Sequence, residues 1–179
     1  MEVYEAIKKR RSIREYETRE VEREKLKRVL NAARLAPSAK NIQPWRVIVV
    51  EDKGLREELA EAAYGQKYLS QAPYVIVICV NEKECYQEHG DYMTSFAVDG
   101  AIFTDHLTLA ACAEGLGTCW IAKFNERKVK ELLKVPEPYR IVVMTPLGYP
   151  AEEGRDRGRK ALSEILYKDI WENKEKGWE

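Results

Sequence analysis

The chain has 179 residues, enough for one well-buried domain but only for two small ones, and its 30 Lys plus Arg are balanced by 30 Asp plus Glu. Zero formal net charge removes any global field that would draw the protein to nucleic acid or an anionic membrane, so charge arguments must be local. The longest strongly apolar run, residues 75–80, is far too short to span a bilayer, and the start MEVYEAIKKRRS lacks an apolar secretion core, which predicts a cytoplasmic protein.

In chain order, residues 3–9 read as a short helix and residues 21–36 as a longer one, with Val21, Leu26, Val29, Leu30, Ala33 and Ala36 at helical spacing. Pro37 stops it. The β-branched run in residues 46–51 predicts a buried strand, residues 53–64 return to helix, and residues 74–81 form a second buried strand after Pro73. Residues 91–114 are the longest candidate helix, apolar on much of their circumference, which marks an element central to the fold or to a subunit interface. Gly115 and Gly117 end it. A short strand over 119–122, a helix over 126–133, a last strand over 140–147, a Gly- and Arg-rich stretch over 148–159 and a helical tail over about 162–172 complete the chain. Helices interleaved with strands indicate mixed layers around one sheet with mixed strand direction.

Cys79, Cys85, Cys112 and Cys119 have neither C-x-x-C spacing nor neighbouring His, so reduced thiols and no metal are expected. No G-x-G-x-x-G follows the first strand, and neither a P-loop nor a G-x-S-x-G turn is present. Four other segments carry chemistry. Arg10, Arg11, Ser12 and Arg14 set guanidinium forks beside a hydroxyl, a phosphate-matching set that is also an ordinary basic helix end. A second basic group, Arg155, Arg157, Arg159 and Lys160, sits in a Gly-interrupted loop. Between helix and strand lies PSAKNIQPW, residues 37–45, where two prolines fix direction while Ser38, Asn41 and Gln43 offer donors and acceptors; a plain turn would use the same residues. Gly115 to Lys123 (GLGTCWIAK) combines a helix end with glycines that permit close backbone approach to a ligand.

Taken together, R-R-S-x-R, P-S-x-x-N-x-Q-P-W, Q-K-x-x-x-x-A-P, G-L-G-T-C-W and R-x-R-K-x-L occur in an order and spacing that resembles nitroreductase-like flavin oxidoreductases across nearly the whole chain. The resemblance implies an α+β fold with a mixed, largely antiparallel central sheet flanked by helices, and an interlocked homodimer with FMN at the subunit interface. Residues 1–179 would form one domain, with 148–179 a basic loop and tail packed on the partner. Carried over to this chain, Arg10, Arg11, Ser12 and Arg14 would bind the cofactor on its phosphate and ribityl side, Arg14 also reaching the ring, and Arg157 and Arg159 would join them. Pro37, Ser38, Ala39 and Asn41 would line the ring from the other subunit. The backbone of Trp120, Ile121, Ala122 and Lys123 would approach its N5 edge, Gln66 or Lys67 its pyrimidine edge, and Asp99 lies where the long helix passes near it. Lys123 departs from the glycine frequent at that position.

The implied function is ping-pong transfer of a hydride from NADH or NADPH through flavin N5 to a small acceptor such as a nitroaromatic or quinone, with no catalytic side chain. Reductive dehalogenation, flavin fragmentation and flavin binding without turnover would use the same motifs.

Overall fold

In the computed structural model, which describes residues 1–175, four strands make one antiparallel sheet in the order β1-β2-β4-β3. They are β1 (Trp45–Val50), β2 (Tyr74–Asn81), β3 (Gly117–Thr118) and β4 (Tyr139–Gly148), and the helices are α1 (Val3–Lys9), α2 (Arg23–Ala33), α3 (Lys53–Ala62), α4 (Tyr68–Gln71), α5 (Phe96–Ala113), α6 (Glu126–Leu133) and α7 (Leu162–Ile165). The unbroken apolar run in β2 has a simple cause, because both faces of that strand are covered. Ile76, Ile78 and Val80 pack with Val29 and Ala33 of α2 and Phe103 and Leu107 of α5. Val75, Val77 and Cys79, pointing the other way, pack with Leu59 of α3 and Val129 of α6. Burying each such Leu, Ile or Val side chain contributes about 1.5–3 kcal/mol before chain entropy is charged against it.

Helix α5 lies so close to the sheet that a Cβ on Gly100 would meet Val142 Cγ2 at 2.9 Å and Val80 Cγ2 at 3.0 Å. Its start corrects the expectation for residues 91–95. Gly90 and Asp91 are both left-handed and His89 pairs with Met93 as a tight hairpin, so the helix begins only at Phe96. Helix α2 likewise stops at Ala33, and α3 stops at Ala62 because Tyr64 and Gly65 turn left-handed. The expected strand over 119–122 is displaced to Gly117–Thr118, with Ile121 meeting Met144 in a single bridge. Mixed strand direction reduces to one parallel bridge, Ser12 to Thr118, beside an antiparallel sheet. The one-turn α4 was missed, since four residues carry no readable period. In the tail only Leu162–Ile165 is helical; the chain then extends at Leu166 and closes on itself, Tyr167 stacking on Trp171 at 4.4 Å. Residues 176–179 of the expected tail lie outside the described residues. Among the described residues no helix is long and apolar enough to cross a membrane.

Gly100→Ala tests the close approach. Helix propensity favours Ala by about 1 kcal/mol, whereas crowding stiff Val methyls costs roughly 1–3 kcal/mol. The expected sign is a net loss, read as a lower urea midpoint with an unchanged slope; a stabilised variant would show that the sheet yields there.

Candidate functional site

After α1 the chain leaves the helix extended at Arg10 and runs along the end of the sheet, Ile13 N donating to Thr118 O at 2.9 Å and Glu17 N to Tyr149 O at 2.9 Å. Two carboxylates that the sequence reading passed over fasten the later basic loop to this segment. Glu152 Oε1 accepts from Arg14 N at 2.6 Å, and Asp156 Oδ2 accepts from Arg11 Nη2 at 2.7 Å while its Oδ1 accepts from Gly158 N at 2.8 Å. Arg11 Nη1 also donates to Lys8 O at 2.6 Å, which leaves that guanidinium held on two sides. Gly154 makes the crossing possible: it is left-handed, and a Cβ there would stand 2.7 Å from Arg11 Cβ. Their signal was hidden in sequence because single acids inside an Arg-rich loop read as part of a solvated charge run.

The outcome is a cleft of about 600 Å³ lined by Lys8, Arg10, Arg11 and Arg159, with Asp105 and Leu109 of α5 on its other side. The donor chemistry fits a phosphate monoester, because Arg10 and Arg159 both line the cleft, Arg159 giving Nη1 to Gly158 O at 2.6 Å, and Asp156 is already engaged by Arg11 and Gly158. Arg157 is exposed on the same loop.

A second group lies around Cys119. Its backbone N donates to buried Thr145 Oγ1 at 3.1 Å, and Ile121 N donates to Met144 O at 2.9 Å, which fixes the 119–123 segment along β4. Ile121 is buried, whereas Trp120, Ala122 and Lys123 face outward. Gln66 clasps this segment from the side, its Nε2 donating to Lys123 O at 3.0 Å and to Ala63 O at 2.9 Å, and Tyr68 donates its hydroxyl proton to Gln66 Oε1. Lys123 Nζ sits 5.3 Å above the ring of Tyr64, and Lys67 is exposed. The Cys119 thiol is pushed up by burial, opposed by the Arg14 guanidinium and by hydrogen bonds with Tyr68 and Ser12. Ser12, Arg14, Gln66 and the Trp120 to Lys123 backbone are therefore parts of one neighbourhood.

No hydrogen bond among those described joins the Pro37 to Asn41 loop to either group. Lys40, Asn41 and Gln43 are all left-handed, with φ of 51°, 55° and 55°. Ser38 Oγ accepts from Gln43 N at 2.9 Å, Gln43 Nε2 donates to Asn41 O at 3.1 Å, and Ala39 N donates to Asp99 Oδ1 at 3.1 Å. Pro37 and Asn41 are exposed and Ser38 is half-buried. Among the described residues no group of three or more His, Cys, Asp and Glu is placed to hold a metal ion.

A sequence profile described as the nitroreductase family matches residues 7–67 and 63–149. Over 190 residues the chain is 32% identical to a protein of Thermus thermophilus named NADH dehydrogenase, covering 90% of this chain and 93% of that protein. It is 28% identical over 189 residues to the FMN reductase (NAD(P)H) of Bacillus subtilis, covering 97% of this chain and 76% of that one. The crystal structure of a nitroreductase family protein from Clostridium novyi NT superposes with a TM-score of 0.78 at 40% identity, covering 97% of each chain. With ordered motifs, fold and profile in agreement, the chain belongs to the nitroreductase family.

Proposed function

We propose that the protein is an FMN-dependent oxidoreductase that accepts a hydride from NADH or NADPH and delivers two electrons to a small acceptor, a nitroaromatic or quinone, in a ping-pong cycle. The observation that carries this reading is that Arg10, Arg11 and Arg159, from two segments far apart in sequence, line one cleft. Relatives named NADH dehydrogenase and FMN reductase support the same chemistry. FMN, when bound, supplies the two-electron redox step, and the protein supplies orientation and electrostatics. Arg10, Ser12 and Arg159, with Arg11 and Arg157 beside them, hold the phosphate and ribityl side. Arg14 and Lys67 set positive charge where negative charge develops on a reduced ring. The outward backbone of Trp120 to Lys123, clamped by Gln66, borders the reactive edge. No side chain is assigned as acid, base or nucleophile.

The site is completed by a second copy of the chain. Residues 1–179 act as one domain whose segment 148–179 packs on the partner, and Pro37, Ser38, Ala39 and Asn41 line the partner's cofactor. Three observations support this. The wall loop has no hydrogen bond to the arginine cleft among those described, and α1 turns Val3, Tyr4 and Ile7 outward, Tyr4 being 82% exposed. Trp171 in the tail is also 76% exposed, a large apolar surface for a lone chain to leave in water.

The reading predicts a yellow purified protein, or one that becomes yellow with FMN, whose absorbance is bleached anaerobically by NADH or NADPH and restored by a quinone or nitroaromatic. Colourless protein that takes up no FMN would end it. Arg159→Ala should weaken FMN binding about ten- to a hundred-fold, the loss of one or two charge-assisted hydrogen bonds, with the thermal midpoint nearly unchanged. Sedimentation should give a dimer; a monomer that retains FMN contradicts the shared site.

The loop that carries Arg159 should respond to acid. The Gly158 N–H, and after it Arg11, hold the Asp156 carboxyl below the ordinary aspartate range. A lowered pKa means that the tie is complete at and above that range and is lost as pH falls through the lowered value. The Gly158 amide resonance should therefore titrate with an inflection below the ordinary aspartate range, and Asp156→Asn should remove that inflection.

A further inference from the structure

We propose that Asp99 is a positioning residue whose buried carboxylate holds the Pro37 to Asn41 loop, and the hairpin over residues 82–95 behind it, in the shape the cofactor pocket requires; the claim rests on the flavin reading above. Asp99 is 1% exposed, the one acidic or basic side chain among the described residues that is buried. Among the described residues no Lys, Arg or His pairs with it. A buried carboxylate without a cation is retained only where hydrogen-bond donors and dipoles replace water. Here Ala39 N donates to Oδ1 at 3.1 Å, Ser95 Oγ donates to Oδ2 at 2.6 Å, and the residue stands in the first turn of α5, where the helix dipole favours negative charge.

Those bonds form a longer chain. Tyr86 N donates to Ser95 Oγ at 3.1 Å and Ser95 N donates to Tyr86 O at 2.8 Å, so the hairpin, the start of α5 and the wall loop meet at one carboxylate. On the outside Lys40 Nζ lies 4.6 Å over the ring of Tyr86, closing the same three segments into a ring. The wall needs such an anchor. Left-handed backbone at Lys40 and Gln43 is unfavourable for residues with a Cβ, and it persists only when the surroundings over-determine it. Ala39, whose N–H is the one Asp99 holds, immediately precedes the first of these left-handed residues.

Three variants separate positioning from mere structural support. Asp99→Asn keeps an oxygen for Ala39 N–H and should bind FMN within about three-fold of wild type. Asp99→Leu removes both acceptors and the buried charge yet fills the space, leaving the Ala39 N–H and the Ser95 hydroxyl without their partner. It should fold with a lowered thermal midpoint, exchange the Ala39 amide at least ten-fold faster in FMN-free protein, and bind FMN at least ten-fold more weakly. Ser95→Ala cuts only the hairpin link and should leave Ala39 exchange near wild type. If Asp99→Leu does not fold, Asp99→Ala read by the same two measurements takes its place. Unchanged Ala39 exchange, or faster exchange with FMN affinity within two-fold of wild type, would overturn the proposal. Wild-type protein that fails to bind FMN would instead overturn the flavin reading, and that result is distinguishable because Ala39 exchange is measured without FMN.

Discussion

At Gly100 the axis of α5 comes near enough to the sheet that one added methyl would touch Val142 at 2.9 Å and Val80 at 3.0 Å, and this approach seats against the sheet the helix that borders the arginine cleft. The preceding residue, Asp99, lies beneath the surface, so its carboxylate must find donors within the protein. Farther along, the C-terminal half of the helix sets Asp105 and Leu109 against the arginine cleft and Cys112 beside a neighbouring one. An 18-residue helix is about 27 Å long, so one rigid element fixes the separation between the wall loop and the anion cleft.

Charge balance is achieved locally in a chain whose totals cancel. Arg11 is committed to Asp156, and the Arg14 backbone N–H to Glu152, while Arg10 and Arg159 line the cleft without a carboxylate partner among the described ion pairs. Exposed ion pairs add little to stability, and the Arg11 to Asp156 pair is exposed on its acidic side. Its contribution is geometric. By tying residue 11 to residue 156 it brings together two basic segments that neither the helix period nor the sheet register would have aligned.

Much of the architecture was legible in the sequence because it rests on local rules. β2 was readable from an unbroken β-branched run and α2 from apolar spacing, although α2 ends at Ala33, short of the stop that Pro37 suggested. The family motifs stood in order and raised the expectation that the basic clusters, the Pro37 to Asn41 loop and the 115–123 segment serve one site, of which the fold joins the two basic segments. Long-range pairings stayed hidden: nothing local distinguishes Glu152 or Asp156 from solvated acids, and the start of α5 depends on a hairpin turn at Gly90 and Asp91 that overrides an otherwise helical composition. Tail structure failed for a related reason, since its helical pattern over 162–172 contains residues whose stacking, Tyr167 on Trp171, favours a closed loop.

The wall loop uses Lys, Asn and Gln at left-handed positions where glycine would be free of strain. Glycine there would make the folded backbone easier to form but would leave the unfolded and ligand-free loop with more conformations to lose. With side chains at those positions, the loop's entropy is surrendered when the protein folds and not when a ligand arrives. On the proposed reading, a wall assembled in this way would meet its ligand already ordered, so affinity would be limited by contacts and desolvation, with little further loss to ordering.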